Sequence, residues 1–415
     1  MRGKKISLIL SLILVLPPFS FFPPAKATEN NEIKVGVFYY PWYVNGSGRG
    51  HWSDDPRKYG IILTETWWTV VDQPLLNWYA SDNIMVIDQH LDWFKYAGVD
   101  FGILSWWGPN SNNETMRLVF NETCIKTIFD ETERYESRTH YPFKWVISVE
   151  DCNESGAQRY IQDYIYTEYA SPSAYANIWL DDASNGKPFL FWFNGKMTNS
   201  SSDREAIYNG TRFSAKILDQ LKDYADWNTW TPYTWGNATS AFPPKNGFMC
   251  VMPRYDETRL DPNGTMGKVR DRCADQYLNG SYWNNTDPLN EPLYDYQWKE
   301  ALSNASAGKV QYVGIATWND FTERTQIEPC YDNTSAYKNC PFFLLDKTRY
   351  YTSQLRIISL QMQINSLNNQ VNALLDLQYV LAGFVVILVM TTIYLRIRKP
   401  RMKQMSGKSQ RPNAA

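Results

Sequence analysis

Apolar residues fall into short, nearly unbroken runs through most of this chain and into helical periods near its end. Six runs read as strands: "IKVGVFYY" from Ile33, "VDFGILSWW" from Val99, "KWVISVE" from Lys144, "PFLFWFN" from Pro188, "GFMCVM" from Gly247 and "VQYVGIATW" from Val310. Continuous rather than alternating apolarity marks strands covered on both faces, as in parallel sheets flanked by helices. Stretches with helical patterning lie between several of them, Ile84 to Ala97 and Ser214 to Asp226 among them. Strand then helix, repeated over 28–347, predicts an α/β chain folded as a (β/α)8 barrel of the TIM type. Two further strands are expected, one between Thr229 and Trp235 and one between Arg272 and Leu293. A doubly wound open sheet is the rival, but no G-x-G-x-x-G follows the first strand.

The ends have patterns of their own. Arg2, Lys4 and Lys5 precede an apolar run from Ile6 to Leu16, and Ala25-Lys26-Ala27 follows as an A-x-A site. This reads as a secretory signal peptide over 1–27. An uncleaved anchor is the alternative, opposed by Pro17, Pro18, Pro23 and Pro24, since proline breaks a long helix. At the other end, 379–395 is apolar and uncharged, long enough to span the hydrocarbon core. The basic tail 396–415 is expected on the cytoplasmic side, which leaves the body outside. A lipid-anchor signal would end in the apolar run, so the basic tail argues against one. Before the span, over 348–378, apolar residues recur at Ile357, Leu360, Ile364, Leu367, Val371 and Leu374. Steps of three and four make a coiled-coil seam. Two readings stay open: a stalk that joins copies of the chain, or one amphipathic helix lying on the globular body.

Composition changes the picture in three respects. The chain has 41 basic and 43 acidic residues, and 11 of the basic ones sit in the two ends, so the portion between is acidic. An acidic body carries no footprint for nucleic acid. Twelve N-x-[ST] sequons lie between Asn45 and Asn333, all on one side of the expected span, which agrees with an extracytoplasmic surface. Six cysteines in an oxidising compartment suggest disulfides. Cys330 with Cys340 closes a short loop; Cys124, Cys152, Cys250 and Cys273 leave three pairings open. Only three histidines and no C-x-x-C spacing are present, so neither a metal site nor a cofactor is expected.

Polar and aromatic residues gather where the apolar runs stop. The first ends in Tyr39-Tyr40-Pro41-Trp42-Tyr43, the second in Ser105-Trp106-Trp107-Gly108, the third in Glu150-Asp151, and the last runs into "WNDFTERTQIEP". Barrel active sites are built at this rim, and a core has no use for unpaired carboxylates. Aromatic rings suit the C–H faces of sugars, and acids and amides suit their hydroxyl edges. Most of the 17 tryptophans and 28 tyrosines must be packing; their placement beside acids is the selective signal. Glycoside cleavage commonly needs two carboxyl groups flanking one bond. Asp320 and Glu323, three apart past a strand end, are the candidates for catalysis, with a structural acid network as the competing reading.

These segments resemble those of glycoside hydrolase family 99, the endo-α-mannosidases. "FYYPWYVNGSGRGHW" (Phe38 to Trp52) is similar to the family's first-strand segment and "GVDFGILSWWGP" to its second. "WVISVED" carries a binding glutamate, here Glu150, while "GKPFLFWFN" and "RYDETRL" (Arg254 to Leu260) also have counterparts. "WNDFTERTQIEP" resembles N-E-W-H-E-G-T-Q-I-E-P. The resemblance implies a retaining glycosidase with Glu323 as general acid and later base. Asp320 takes the place of the glutamate that deprotonates the sugar's 2-hydroxyl to form a 1,2-anhydro sugar. It further nominates Tyr39, Tyr40, Trp42, His51, Trp106, Trp107, Glu150, Tyr255, Asp256, Arg259, Gln326 and Glu328 as substrate contacts. For His51 a surface residue is the plainer reading, and for Asp256 with Arg259 a salt bridge. The chain departs from the pattern at Asp320, one methylene short, at Phe321 and Thr322 for Trp-His, and at Arg324 for Gly. A carboxylate set back by about one bond length can cost roughly 10²-fold in rate.

The expectation is a membrane-anchored, outward-facing glycosidase acting on an oligo- or polysaccharide of α-mannoside type. The alternative is a non-catalytic glycan-binding or cell-surface structural protein on the same barrel. A nucleotide-sugar transferase would need a phosphate-binding loop, and none is visible.

Overall fold

The computed structural model describes residues 32–43, 52, 72–108, 122–150, 157–193, 200–219, 223–229, 243–254, 293–331 and 340–397. Eight parallel strands form one sheet: β1 (Lys34–Tyr39), β2 (Phe101–Trp106), β3 (Lys144–Val149), β4 (Phe189–Phe193), β5 (Ser214–Asp219), β6 (Trp227–Asn228), β7 (Phe248–Val251) and β8 (Tyr312–Ile315). Their order is β6-β5-β4-β3-β2-β1-β8-β7. The end strands approach each other: Trp227 of β6 stacks on Phe248 of β7 at 4.5 Å, and Asn246 Nδ2 donates to Asp226 O at 3.0 Å. The sheet is therefore a nearly closed (β/α)8 barrel.

Helices follow most strands: α1 (Ile84–Ala97), α2 (Glu122–Thr139), α3 (Gln158–Ile165), α4 (Ser201–Tyr208), α5 (Leu293–Ser306) and α6 (Phe343–Ile397). Asn83 caps α1 by accepting from the Met85 amide, and Gly98 ends it at φ 71°, a left-handed conformation that glycine takes at little cost. A two-residue ribbon pairs Gln73–Pro74 with Cys330–Tyr331.

Aromatic rings fill the barrel interior. Phe101, Phe189, Trp227 and Tyr312 come from β2, β4, β6 and β8, and their centroids lie 5.3–6.4 Å apart. Rings from alternate strands meet only on the inside, as in the layered core of such barrels. Gly36 of β1 makes room for them, since a Cβ there would lie 2.3 Å from the Phe101 ring. Gly36→Ala is expected to lower stability by about 1–3 kcal/mol through overpacking, read as a shift in the thermal unfolding midpoint. Outside, Gly102 accommodates Trp145, whose Nε1 donates to Thr132 Oγ1 of α2 at 2.9 Å.

Two element expectations need correction. Ser214–Asp219 is strand β5, not the start of a helix, and only six of its residues are regular. It sits between β4 and β6, and this parallel pairing outweighs the local helical pattern. The next strand is Trp227–Asn228, just ahead of the expected Thr229. The other expected position, after Arg272, lies outside the described residues. Of the expected Cys330–Cys340 pair, Cys330 is buried with Gln326 Nε2 3.6 Å from its Sγ, and Cys340 is exposed; Cys152 and Cys273 lie outside the described residues.

Helix α6 runs unbroken for 55 residues. Its first part docks on the barrel through Leu345, Thr348, Tyr351, Thr352, Leu355 and Ser359. Thr352 Oγ1 donates to Ala97 O at 2.6 Å, and Ser359 Oγ accepts from the Ile33 amide at 2.9 Å. The chain divides into two compact units, one up to Leu360 and the other from Gln361 onward. The later part of α6 is long and apolar enough to cross a membrane, with mean hydropathy 2.3.

Candidate active site

Side chains alternate along a strand, and the inward set can be followed to the strand ends. On β1 Gly36 faces in, so Tyr40 does and Tyr39 does not. On β2 Phe101 faces in, which turns Trp107 toward the mouth and Trp106 away. On β3 Trp145 faces out, so Glu150 faces in. Contacts agree. Tyr39 packs edge-on against Trp145 and bonds His90 Nδ1 of α1 at 3.2 Å. Trp106 lies beside Tyr164 of α3. Trp107 is half-buried, its Nε1 donating to Ser105 Oγ at 3.1 Å.

The segment after β8 closes on itself. The Thr317 amide donates to Thr325 O (2.9 Å), and the two threonine hydroxyls meet at 2.9 Å. Within this loop Asp320 Oδ1 accepts from the Thr322 amide (3.1 Å), Thr322 Oγ1 (2.7 Å) and the Glu323 amide (2.9 Å). Asp320 is buried, and Glu323 is half-buried on the same turn. Thr322, where the family has histidine, thus anchors the shortened acid. Arg324 stands where the family has glycine and has φ 54°, a region costly for other residues. Its guanidinium bonds Asp72 through Nε (3.0 Å) and Nη2 (3.1 Å). Asp72 also accepts from Arg254 Nη2 (2.9 Å) and Gln326 Nε2 (2.9 Å), and all four side chains are buried.

Asn319 holds the loop to β1. Its Oδ1 accepts from the Tyr40 amide at 2.8 Å, and its Nδ2 donates to Tyr40 O at 3.0 Å. Behind it the Tyr79 hydroxyl donates to Glu328 Oε2 at 2.7 Å, and His90 Nε2 lies 3.4 Å from Glu328 Oε1. Glu328, Gln326 and Tyr39 are buried and bonded within these networks. Trp42 stacks on Tyr40 at 4.2 Å. His51, Tyr255, Asp256 and Arg259 lie outside the described residues.

The Tyr40 phenol is buried among charges from two strand ends. Burial pushes it well above the usual tyrosine range, and the charges of Glu150, Asp320 and Glu323 push it the same way. Burial likewise raises Tyr39, Tyr43 and Tyr79. An acid raised on folding stabilises the fold fully below its unfolded value of 10.0, and that contribution is lost as pH climbs toward the folded value. In an alkaline absorbance titration, these four phenols are expected to ionise only as the barrel unfolds. Their ionisation with the fold intact would contradict the burial.

Asn319 of the loop after β8, and Asp72, Tyr79, His90 and Tyr43 in contact with that loop, are not among the residues the sequence nominates. Asn319 lies within the last apolar-to-acidic segment, and strand parity separates Tyr40 from Tyr39. Asp72 carries no sequence signal of its role.

No protein-family model matches the chain. The rat glycoprotein endo-alpha-1,2-mannosidase (Rattus norvegicus) is 22% identical over 358 residues, 75% of this chain and 69% of that protein. Its mouse counterpart (Mus musculus) is 23% identical over 361 residues, 74% and 71% of the two. Two structures of the GH99 endo-alpha-mannosidase from Bacteroides thetaiotaomicron, one with bis-tris propane, superpose with TM-score 0.52 at 19% identity. They cover 78% of this chain and 98% of theirs. The chain is thus similar in sequence to endo-alpha-1,2-mannosidases and shares the barrel fold of a GH99 structure. In the loop after β8 the T-Q-I-E-P run carries the buried Gln326 and Glu328, and Asp320 and Glu323 precede it.

Proposed function

We propose that this chain is a glycoside hydrolase that cuts α-mannosides within glycan chains with retention of configuration. The observation that carries the reading is the turn past β8 that holds Asp320 and Glu323 three residues apart, with Glu150 directly after β3 on the inward side of the same sheet. Glu323 protonates the departing glycosidic oxygen. Asp320 takes the proton of the sugar's 2-hydroxyl, whose oxygen displaces the leaving group to give a 1,2-anhydro sugar. Water then opens that ring as Glu323 acts as base and Asp320 returns its proton. Glu150, Trp107 and the Tyr40–Trp42 stack hold the sugar. The body sits outside the cell membrane, anchored by the C-terminal helix, as the sequons and the basic tail support.

One observation favours a second reading, a glycan-binding barrel without turnover. Three donors already fix Asp320 Oδ1, and the side chain is short for a proton-abstracting role. Full-length protein in detergent micelles, incubated with α-mannans and N-glycans, separates the two. Release of oligosaccharide supports an endo-hydrolase. Binding by calorimetry without product supports the second reading.

A further inference from the structure

Helix α6 carries an apolar stripe that the barrel leaves uncovered. Ile357, Leu360, Ile364, Leu367, Val371 and Leu374 are each between 50% and 60% exposed. Each residue turns a helix by about 100°, so this stripe is centred roughly 130° around α6 from the docked face of Thr348, Tyr351, Thr352, Leu355 and Ser359. The residues that pack on the barrel and those of the heptad seam thus lie on different faces of the helix. A helix lying on its own body through the seam is not what the docked segment does.

The seam names its own occupant. Ile357, Ile364 and Val371 take the a positions, and Leu360, Leu367 and Leu374 take d. β-Branched residues at a with leucine at d favour two parallel strands over three or four. Gln378 continues the a series where the apolar span begins, and a lone polar residue at a fixes register. The flanking e and g positions hold Gln361, Gln363, Asn368 and Gln370, and Asp376, at an outer position, is the one charge between Ile357 and Leu377. Two copies therefore meet without like charges across the seam. Counting a, d, e and g, the stalk brings about 12 residues per copy and the span about as many, within the roughly 20–30 a side of a stable interface.

We propose that two copies of this chain associate through α6 as a parallel coiled coil. In the topology proposed above, both copies enter the membrane from the same side, and only the parallel arrangement is open to them. The test is disulfide trapping of the full-length protein in membranes. Leu367→Cys and Leu374→Cys are compared with Asn365→Cys and Asn369→Cys, at b and f, and with the parent carrying its own cysteines. Under mild oxidation the two d-position variants give a band of dimer mass several-fold above the parent, and the other two do not. In detergent, light scattering gives two copies for the parent and one for Ile364→Lys with Leu367→Lys, with the barrel's unfolding transition unchanged. Equal trapping at all four positions, a parent of one copy, or a parent of three copies would overturn the proposal.

Discussion

Glu323→Gln is expected to leave a folded chain that still binds glycan and releases almost none of it. A positioned general acid contributes about 10²–10⁴-fold, and kcat should fall by that order with little change in KM. The amide matches the carboxyl in shape but has no proton to give. Asp320 stands on the same turn, and Glu150 directly follows β3. The deficit should shrink for substrates with an activated aryl leaving group, which departs without protonation. A merely structural role for Glu323 would produce equal losses on both substrates. Asp320→Ala should also abolish release, but it removes the acceptor for two backbone amides and so lowers stability as well.

Asp72→Ala is expected to destabilise the barrel more than either Gly36→Ala or Arg324→Gly. Arg254 and Arg324 both converge on this carboxylate, with Gln326 as a further donor, in a place from which water is excluded. Removing one partner of a buried ion pair costs about 3–5 kcal/mol, because the remaining charge keeps its desolvation penalty. For a domain this large, that lowers the unfolding midpoint by roughly 10 °C. Arg324→Gly is expected to be milder. It gives up the pair with Asp72 but relieves the φ of 54°, which glycine adopts freely. Calorimetric scans of the Asp72 and Arg324 variants check the order. A milder effect for Asp72→Ala would mean that the ion pairs do not hold the loop.

Much of the fold was legible because both faces of the strands are buried, which writes apolar runs into the sequence. Strand β5 was not: in "SAKILD" Lys216 interrupts the apolar run, and the pairing with β4 and β6 that makes it a strand is not written in its own residues. The candidate site was legible as a set of segments, less so as a set of side chains. Tyr39 and Trp106 stand next to inward residues and face outward, a distinction that period-two alternation carries once the register is known. Glu328 and Gln326 sit in the most distinctive motif of the chain, and they are buried structural partners of Tyr79, His90 and Asp72. A motif can be distinctive because it builds the floor of a site. The departures at Thr322 and Arg324 are explained by bonds to Asp320 and Asp72, and Asp72 lies far off in sequence.

The proposed roles of Asp320 and Glu323 are tested most directly by a crystal structure of the Glu323→Gln variant with an α-manno-oligosaccharide. The account predicts a sugar ring in the barrel mouth beside Tyr40, its 2-hydroxyl within hydrogen-bond reach of Asp320 and its glycosidic oxygen facing position 323. A sugar bound away from the rim, or a mouth that stays closed over Asp320 at saturating glycan, would contradict it.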